Sequence, residues 1–194
     1  MREYNPKTVK TFSPDTRDED LLRACRDGGE TEKLGDLYAR YIPLVYGVAL
    51  KYLRDSGESA ALVLKIYQEL PARVAEERIV CFRPWLYAWV REACLEELKK
   101  RTKGKVRLDE EVKSYHDNFD IDHIREDSDK KKVLLKQMEA LPEKQRVVIQ
   151  RFFLENRSYR EIGDMTGFSL ERVKELICEG ERALREKLAE KGIY

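Results

Sequence analysis

The sequence predicts an all-α chain: two small helical domains joined by a flexible acidic linker. Three observations carry this. Apolar residues recur every three or four positions through most of the 194 residues, the spacing that lines one face of a helix. No run alternates apolar and polar residues between turn signals, as a half-buried strand does. Residues 105–130 break the helical pattern, with five basic and nine acidic side chains, few apolar ones and no period. That composition reads as a tether. The expected layout is a tail over 1–17, a helical domain over 18–104, the linker over 105–130 and a second helical domain over 131–194.

The elements follow in order. A short helix is expected over Asp18 to Cys25, with Asp18 as its cap before Asp20, Leu21 and Leu22. Leu34, Leu37, Tyr38, Tyr41, Val45, Val48, Ala49 and Tyr52 form the next stripe, which Pro43 is expected to kink or restart. A third stripe, Leu62, Val63, Ile66, Tyr67 and Leu70, is expected to stop at Pro71. A fourth opens after Pro84 with Trp85, Leu86, Trp89, Val90, Ala93, Cys94 and Leu98. Beyond the linker, Val133, Leu134, Met138 and Leu141 precede Pro142, and Val147, Val148, Ile149, Phe152 and Phe153 make a further helix. Two more lie either side of Gly167.

Charge and composition narrow the class. Lys plus Arg number 38 and Asp plus Glu 37, a net charge of +1. A polycation that coats nucleic acid through bulk charge is excluded. The neutrality is local compensation: residues 1–104 carry net +2, 105–130 net −4 and 131–194 net +3. No apolar run reaches the roughly 18–20 residues of a membrane span, and residues 1–20 hold no apolar signal core. The reading is cytoplasmic, with no membrane partner. Cys25, Cys81, Cys94 and Cys178 form no C-x-x-C pair and are expected to be reduced thiols in helices. His116 and His123 stand in a polar stretch without a nearby cysteine, so no metal site is expected. Nor is there a Gly-rich phosphate loop or a nucleophile beside a base; no catalytic residue and no cofactor are expected.

The most specific local pattern begins at Ser158. Ser158 and Glu161 have the spacing of a capping box, Gly163 is small where helices approach, and Gly167 supplies a left-handed turn residue. Ser169 can cap the following helix, with Arg172 at its third position. Val173, Leu176 and Ile177 then face the core, leaving Glu171, Arg172, Lys174, Glu175 and Cys178 outward. This is a helix-turn-helix with a candidate recognition helix, although an αα-hairpin used only for packing has the same outline. A second candidate surface lies at Lys99, Lys100, Arg101, Lys103, Lys105 and Arg107, downstream of Trp85, Tyr87, Trp89 and Arg91. Cations beside aromatic rings suit single-stranded DNA. A solvated helix end with the rings in the core fits equally, and periodicity places Trp85 and Trp89 in the core.

Taken together, the halves resemble a bacterial sigma factor of the extracytoplasmic-function group of the sigma-70 family. The first matches region 2 through Leu37-Tyr38-x-x-Tyr41-x-x-x-Val45-Tyr46, Ala49-Leu50-Lys51-Tyr52-Leu53-x-Asp55 and Phe82-x-x-Trp85-Leu86-Tyr87. The second matches region 4 through Leu141-Pro142-Glu143-Lys144-Gln145-Arg146-x-Val148-Ile149, Ser158-Tyr159-x-Glu161-Ile162 and Met165-Thr166-Gly167. The Phe168-Ser169-Leu170 turn is similar to sigma factors of Bacteroidetes-type bacteria. The resemblance implies a non-catalytic subunit that binds the β and β′ subunits of core RNA polymerase, reads promoter DNA and helps open it. By position it implies that Tyr38, Tyr41, Val45, Tyr46, Ala61, Lys65 and Gln68 face the polymerase. Trp85, Arg91, Glu92, Lys99, Lys100, Arg101 and Lys103 would lie at the −10 element. Arg146, Ser158, Tyr159, Ser169, Glu171, Arg172, Lys174 and Glu175 would lie at the −35 element.

The chain departs from that pattern where charge matters. Ala61 stands for the usual Asp and Lys65 for a Glu or Gln, which removes negative charge from the polymerase face. Glu92 stands for an Asn, and an acid near phosphates is unfavourable. Residues 171–182 hold four acids against three bases, and each phosphate left unneutralised forgoes a counterion-release contribution to affinity. These substitutions imply degenerate promoter reading and delivery by a DNA-bound partner; an anti-sigma factor is a further partner common in the family. A helix-turn-helix regulator that ignores polymerase, and an interaction adaptor without DNA binding, are the alternatives.

Overall fold

A computed structural model describes residues 17–28, 31–101 and 128–192. Among them every regular element is helical: α1 (Asp18–Gly28), α2 (Thr31–Leu53), α3 (Ser56–Glu76), α4 (Phe82–Arg101), α5 (Ser128–Glu139), α6 (Glu143–Ile149), α7 (Tyr159–Thr166) and α8 (Leu170–Ala189). A π turn over Gln150–Leu154 prolongs α6. The expected tail, apart from Arg17, and the linker up to residue 127 lie outside the described residues, as do His116, His123 and Lys103. Helix α5 begins at Ser128, inside the expected linker.

In the first half α2 packs on α3 and α4, with α1 against α2. Leu37, Val45, Ile66, Leu70, Leu86, Val90 and Cys94 close its core. Burial pushes the Cys94 thiol up to about 12. Asp55 caps α3 by accepting the Glu58 amide at 2.7 Å. Two local expectations are corrected, the stop at Pro71 and the Asp18 cap, and at Pro43 a restart of the helix is excluded. Helix α2 runs through Pro43 and α3 through Pro71. Each proline removes one helical hydrogen bond, a cost of about 3 kcal/mol in a bare helix. Both rings are exposed, and buried residues on either side (Tyr38 and Val45, Leu70 and Val74) hold the helix together across the gap. Asp18 does not cap α1 either: it is the first helical residue, and its carboxylate accepts from Arg40 at 3.0 Å and from the Tyr41 hydroxyl.

In the second half α8 packs across α5, α6 and α7. Val148, Ile149, Phe152, Ile162, Val173, Leu176 and Ile177 are buried at its centre. The crossing of α8 over α6 is close at Gly180, where a Cβ would stand 2.6 Å from Ile149 Cγ1.

The two halves are docked directly. Helix α4 has a second buried face: Tyr87 is 2% exposed, with its ring 5.6 Å from Phe152 and 5.7 Å from Phe153. The Tyr87 hydroxyl donates to Asn156 Oδ1 at 3.1 Å, and Arg91 Nη1 donates to the Asn156 carbonyl at 2.7 Å. Asn156 takes the left-handed conformation (φ 53°), which turns the chain out of the π turn and points this carbonyl at α4. Arg83 pairs with Glu181 at 2.9 Å, and Arg182 with Glu19 at 3.1 Å. The expectation of four reduced cysteines is also corrected. Cys81, just before α4, and Cys178, on α8, form a disulfide with Cα atoms 5.6 Å apart, 97 residues apart in sequence. Cys178 is therefore buried and not outward, because the first half covers that side of α8. Cys25 and Cys94 remain thiols.

The Gly180 crossing is testable. Gly180→Ala should destabilise the chain by about 1–3 kcal/mol through overpacking against Ile149. Chemical denaturation of G180A, I149A and the double variant should show non-additivity, with I149A relieving part of the G180A destabilisation.

Candidate nucleic-acid interface

The α7–α8 pair has the geometry its residues dictate. The Ser158 hydroxyl accepts the Glu161 amide at 3.3 Å, while the Glu161 carboxylate accepts the Ser158 amide at 2.7 Å. The capping box is complete. Gly167 takes φ 73° and returns its amide to the Gly163 carbonyl at 2.8 Å, and a Cβ on Gly163 would press to 3.0 Å from the Phe168 carbonyl. The Ser169 hydroxyl accepts the Arg172 amide at 3.2 Å and starts α8. A tight turn between two short-range caps thus sets α8 across α7, as a helix-turn-helix requires.

The exposed face of α8 is internally neutralised. Arg172 Nη1 lies 2.9 Å from Glu175 and 3.2 Å from Glu179. The hydrogen bond to Glu175, then that to Glu179, holds its guanidinium above its ordinary value. Lys174 lies 3.8 Å from Glu171, which also faces Arg78 of the first half at 3.9 Å. Arg146 donates to the Glu139 carbonyl at 3.2 Å. Tyr159 stacks on Phe152 with centroids 5.1 Å apart and planes 4° from parallel. Burial raises its phenol above the ordinary value, with Arg91 opposing.

On α4 the aromatic series Phe82, Trp85 and Trp89 runs with centroid spacings of 5.7 and 5.4 Å. Both indoles are buried; Trp85 donates to Glu77 at 2.8 Å and the Arg73 guanidinium caps the Trp89 ring at 4.6 Å. Arg91 is buried against Asn156. Glu92 and Lys99 are exposed, Lys100 pairs with Glu97 at 2.9 Å, and Arg101 pairs with Glu58 and donates to the Leu53 carbonyl at 3.2 Å. A cleft of about 1240 Å³ separates the halves, lined by Trp89, Glu92 and Lys99 on one wall and Ser158, Arg160 and Lys174 on the other. The structure therefore brings residues singled out for two different DNA elements onto one cleft.

The residues assigned to a polymerase contact divide. Tyr38 and Val45 are buried, the Tyr38 hydroxyl donating to the Val63 carbonyl at 2.8 Å. Tyr41 is tied to Asp18 and Tyr46 is half-buried. Burial pushes the Tyr38 and Tyr41 phenols above their ordinary range. Ala61 and Gln68 are exposed on α3, and Lys65 pairs with Glu97 at 3.2 Å. Sequence reasoning missed the exposed apolar surface of α3, where Leu64 is 62% and Tyr67 47% exposed. The signal was there for Leu64, which falls out of phase with Leu62, Ile66 and Leu70.

Among the described residues no cluster of His, Cys, Asp and Glu could hold a metal ion, and no helix is long and apolar enough to cross a membrane. A helix-turn-helix docked on a helical bundle that carries an aromatic and basic helix defines a two-part, all-helical protein with a candidate nucleic-acid-binding surface. Comparison with known families gives the class a name. The profile described as Sigma-70 region 2 matches residues 37–104, and that described as Sigma-70, region 4 matches residues 138–186. No curated protein matches the chain. The chain belongs to the sigma-70 family, whose members are non-catalytic transcription initiation factors acting in promoter recognition with core RNA polymerase.

The capping box makes a signed pH prediction. Desolvation acts to raise the Glu161 carboxyl, but hydrogen bonds from Ser158 and Arg157 outweigh it and hold the group below 4.5. A lowered folded value gives stability that is present above the unfolded value and disappears as pH falls through the folded one. Glu161→Gln should therefore be less stable than the parent at neutral pH, with the gap closing as pH drops below 4.5. A gap that does not change with pH in denaturation curves contradicts this. Ser158→Ala should cost about 1 kcal/mol at neutral pH.

Proposed function

We propose that the chain is a cytoplasmic sigma factor of the extracytoplasmic-function group, with weak intrinsic promoter reading, that is delivered to its promoters by a partner. In this reading α8 enters the major groove of the −35 element with Ser169, Glu171, Arg172, Lys174 and Glu175, while Arg146, Ser158 and Tyr159 approach phosphates. Helix α4 meets the −10 strand with Trp85, Arg91, Glu92 and the basic run from Lys99 to Lys103. The exposed face of α3, with Ala61, Leu64, Lys65 and Gln68, meets the polymerase.

The observation that carries the weak-reading part is the state of Arg172 and Lys174. Both cations on the recognition face are engaged by glutamates of the same helix. To reach phosphate or a guanine edge, Arg172 must first leave two carboxylates, and those carboxylates then face the phosphates. Tethering by a DNA-bound partner supplies the missing affinity as effective concentration. The same observation favours a second reading, an adaptor that keeps the fold without binding DNA. Salt titration separates the two, because an adaptor shows almost no dependence of DNA affinity on salt.

Two outcomes are expected. Purified chain with cognate core polymerase should initiate weakly, and mutating the −35 element should change little; strong transcription that depends on both elements without any partner contradicts the proposal. Glu175→Gln with Glu179→Gln should release Arg172, raise affinity for promoter DNA and steepen the plot of log affinity against log salt by about 1. An unchanged slope shows that Arg172 does not reach phosphate.

A further inference from the structure

We propose that Cys81 and Cys178 form a thiol–disulfide latch that locks the two DNA-reading halves against each other and withholds the protein from promoters until it is reduced. The inference rests on the promoter-reading function above and adds to it a regulatory state that the chain itself carries.

Four observations support it. First, the bond joins the two halves at the reading surfaces themselves: Cys178 lies on α8 one turn beyond Lys174, and Cys81 lies immediately before α4. Second, the docked arrangement is incompatible with reading both elements at once. The −10 and −35 elements are about 25 base pairs apart, about 85 Å at 3.4 Å per base pair. Here α4 and the α7–α8 pair share one cleft, with Arg91 hydrogen-bonded to Asn156.

Third, the interface behind the disulfide is built to part. Arg91 is 8% exposed, yet among the described residues it meets a carbonyl and no carboxylate within ion-pair distance. The Asn156 amide nitrogen is buried without a hydrogen-bond partner. The unsatisfied amide costs free energy while docked and regains water on separation. The other links are the packing of Tyr87 on Phe152 and Phe153, its hydrogen bond to Asn156, and the ion pairs Arg83–Glu181, Arg182–Glu19 and Arg78–Glu171, of which the exposed pairs contribute little. Such an interface stays closed far better with a covalent bond across it.

Fourth, the two sulfurs are suited to reversible chemistry. Cys81 is half-buried and so within reach of a small thiol, whereas Cys178 is buried behind it. Cys94, the other buried thiol, sits in the first core, where burial keeps it protonated and unreactive. Disulfides in reducing compartments are mostly transient and redox-sensing.

The chemistry balances with a low-molecular-weight disulfide such as oxidised glutathione as oxidant. The Cys81 thiolate attacks that disulfide, forms a mixed disulfide and releases one small thiol. The Cys178 thiolate then attacks Cys81 sulfur, closes the protein bond and releases the second. Two protein thiols lose two electrons and two protons; the oxidant becomes two thiols. A dithiol reductant reverses both steps, entering at Cys81.

The test uses the full chain oxidised with oxidised glutathione, reduced with dithiothreitol, and as the Cys81→Ser and Cys178→Ser single variants. The oxidised chain should lose the mass of two hydrogens, and peptide mapping should join Cys81 to Cys178. Amide exchange over residues 155–158 should slow about tenfold or more relative to the reduced chain. Transcription with core polymerase should fall at least tenfold on oxidation and return on reduction, while either variant stays active in both conditions. A Cys25→Ser Cys94→Ser variant should keep the response. Equal transcription by oxidised and reduced chain overturns the latch, as does a mapped bond at other cysteines. If no form initiates with polymerase, the promoter-reading function fails instead, and the exchange comparison alone decides the latch: equal protection in both states overturns it.

Discussion

The hydrogen bond from Arg91 to the Asn156 carbonyl, with the Tyr87 hydroxyl on the side chain of the same asparagine, is the interaction on which the rest of the arrangement depends. It makes α4 a shared element. One face of α4 fills the first bundle with Leu86, Val90 and Cys94, and the other receives the aromatic group of Phe152, Phe153 and Tyr159. The left-handed turn at Asn156 and the π turn before it exist in a geometry that presents this one carbonyl to α4. The same docked arrangement holds the stacking of Tyr159, the approach of Cys178 to Cys81 and the meeting of the two candidate DNA-binding surfaces at the cleft.

Electrostatics explains why a DNA-binding protein has a net charge of only +1. Its cations are present but already committed. Arg172 bridges Glu175 and Glu179, Lys65 and Lys100 share Glu97, and Arg83 and Arg185 share Glu181. Glu97 consequently lies below its ordinary value, first through its hydrogen bond with Lys100 and then through Lys65, with desolvation opposing. A surface wired this way competes with phosphate for its own basic groups.

Local chemistry was legible in the sequence, and long-range pairing was not. The Ser158–Glu161 box, the Gly167 turn and the Ser169 cap each depend on residues within four positions, and each formed as read. The core stripes of α2, α3 and α4 were also visible, because a period of 3.6 survives a single proline, although Tyr67, counted in the α3 stripe, lies exposed. The prolines themselves misled, since their local cost is set against packing from other helices that no window contains. Asp18 misled similarly: an acid before a helix reads as a cap, but Arg40 and Tyr41, a helix away, claim it. The disulfide had no spacing signal across 97 residues. For the candidate site, the outward placement of Glu171, Arg172, Lys174 and Glu175 on α8 was legible, but the second face of α4 was hidden. Tyr87 and Arg91 look like solvent-facing functional groups until the other half is placed over them.

A chain that rests closed across α4 must open to read a promoter. Pulsed dipolar distances between spin labels at the exposed Asp36 on α2 and Glu186 on α8, attached by non-cysteine chemistry to the oxidised free chain and to the reduced chain in the holoenzyme, test this most directly. The expected result is one narrow, short distance in the free protein, lengthened by tens of ångströms in the holoenzyme on promoter DNA. A broad, long distribution in the free chain, or the same short distance in the promoter complex, contradicts it.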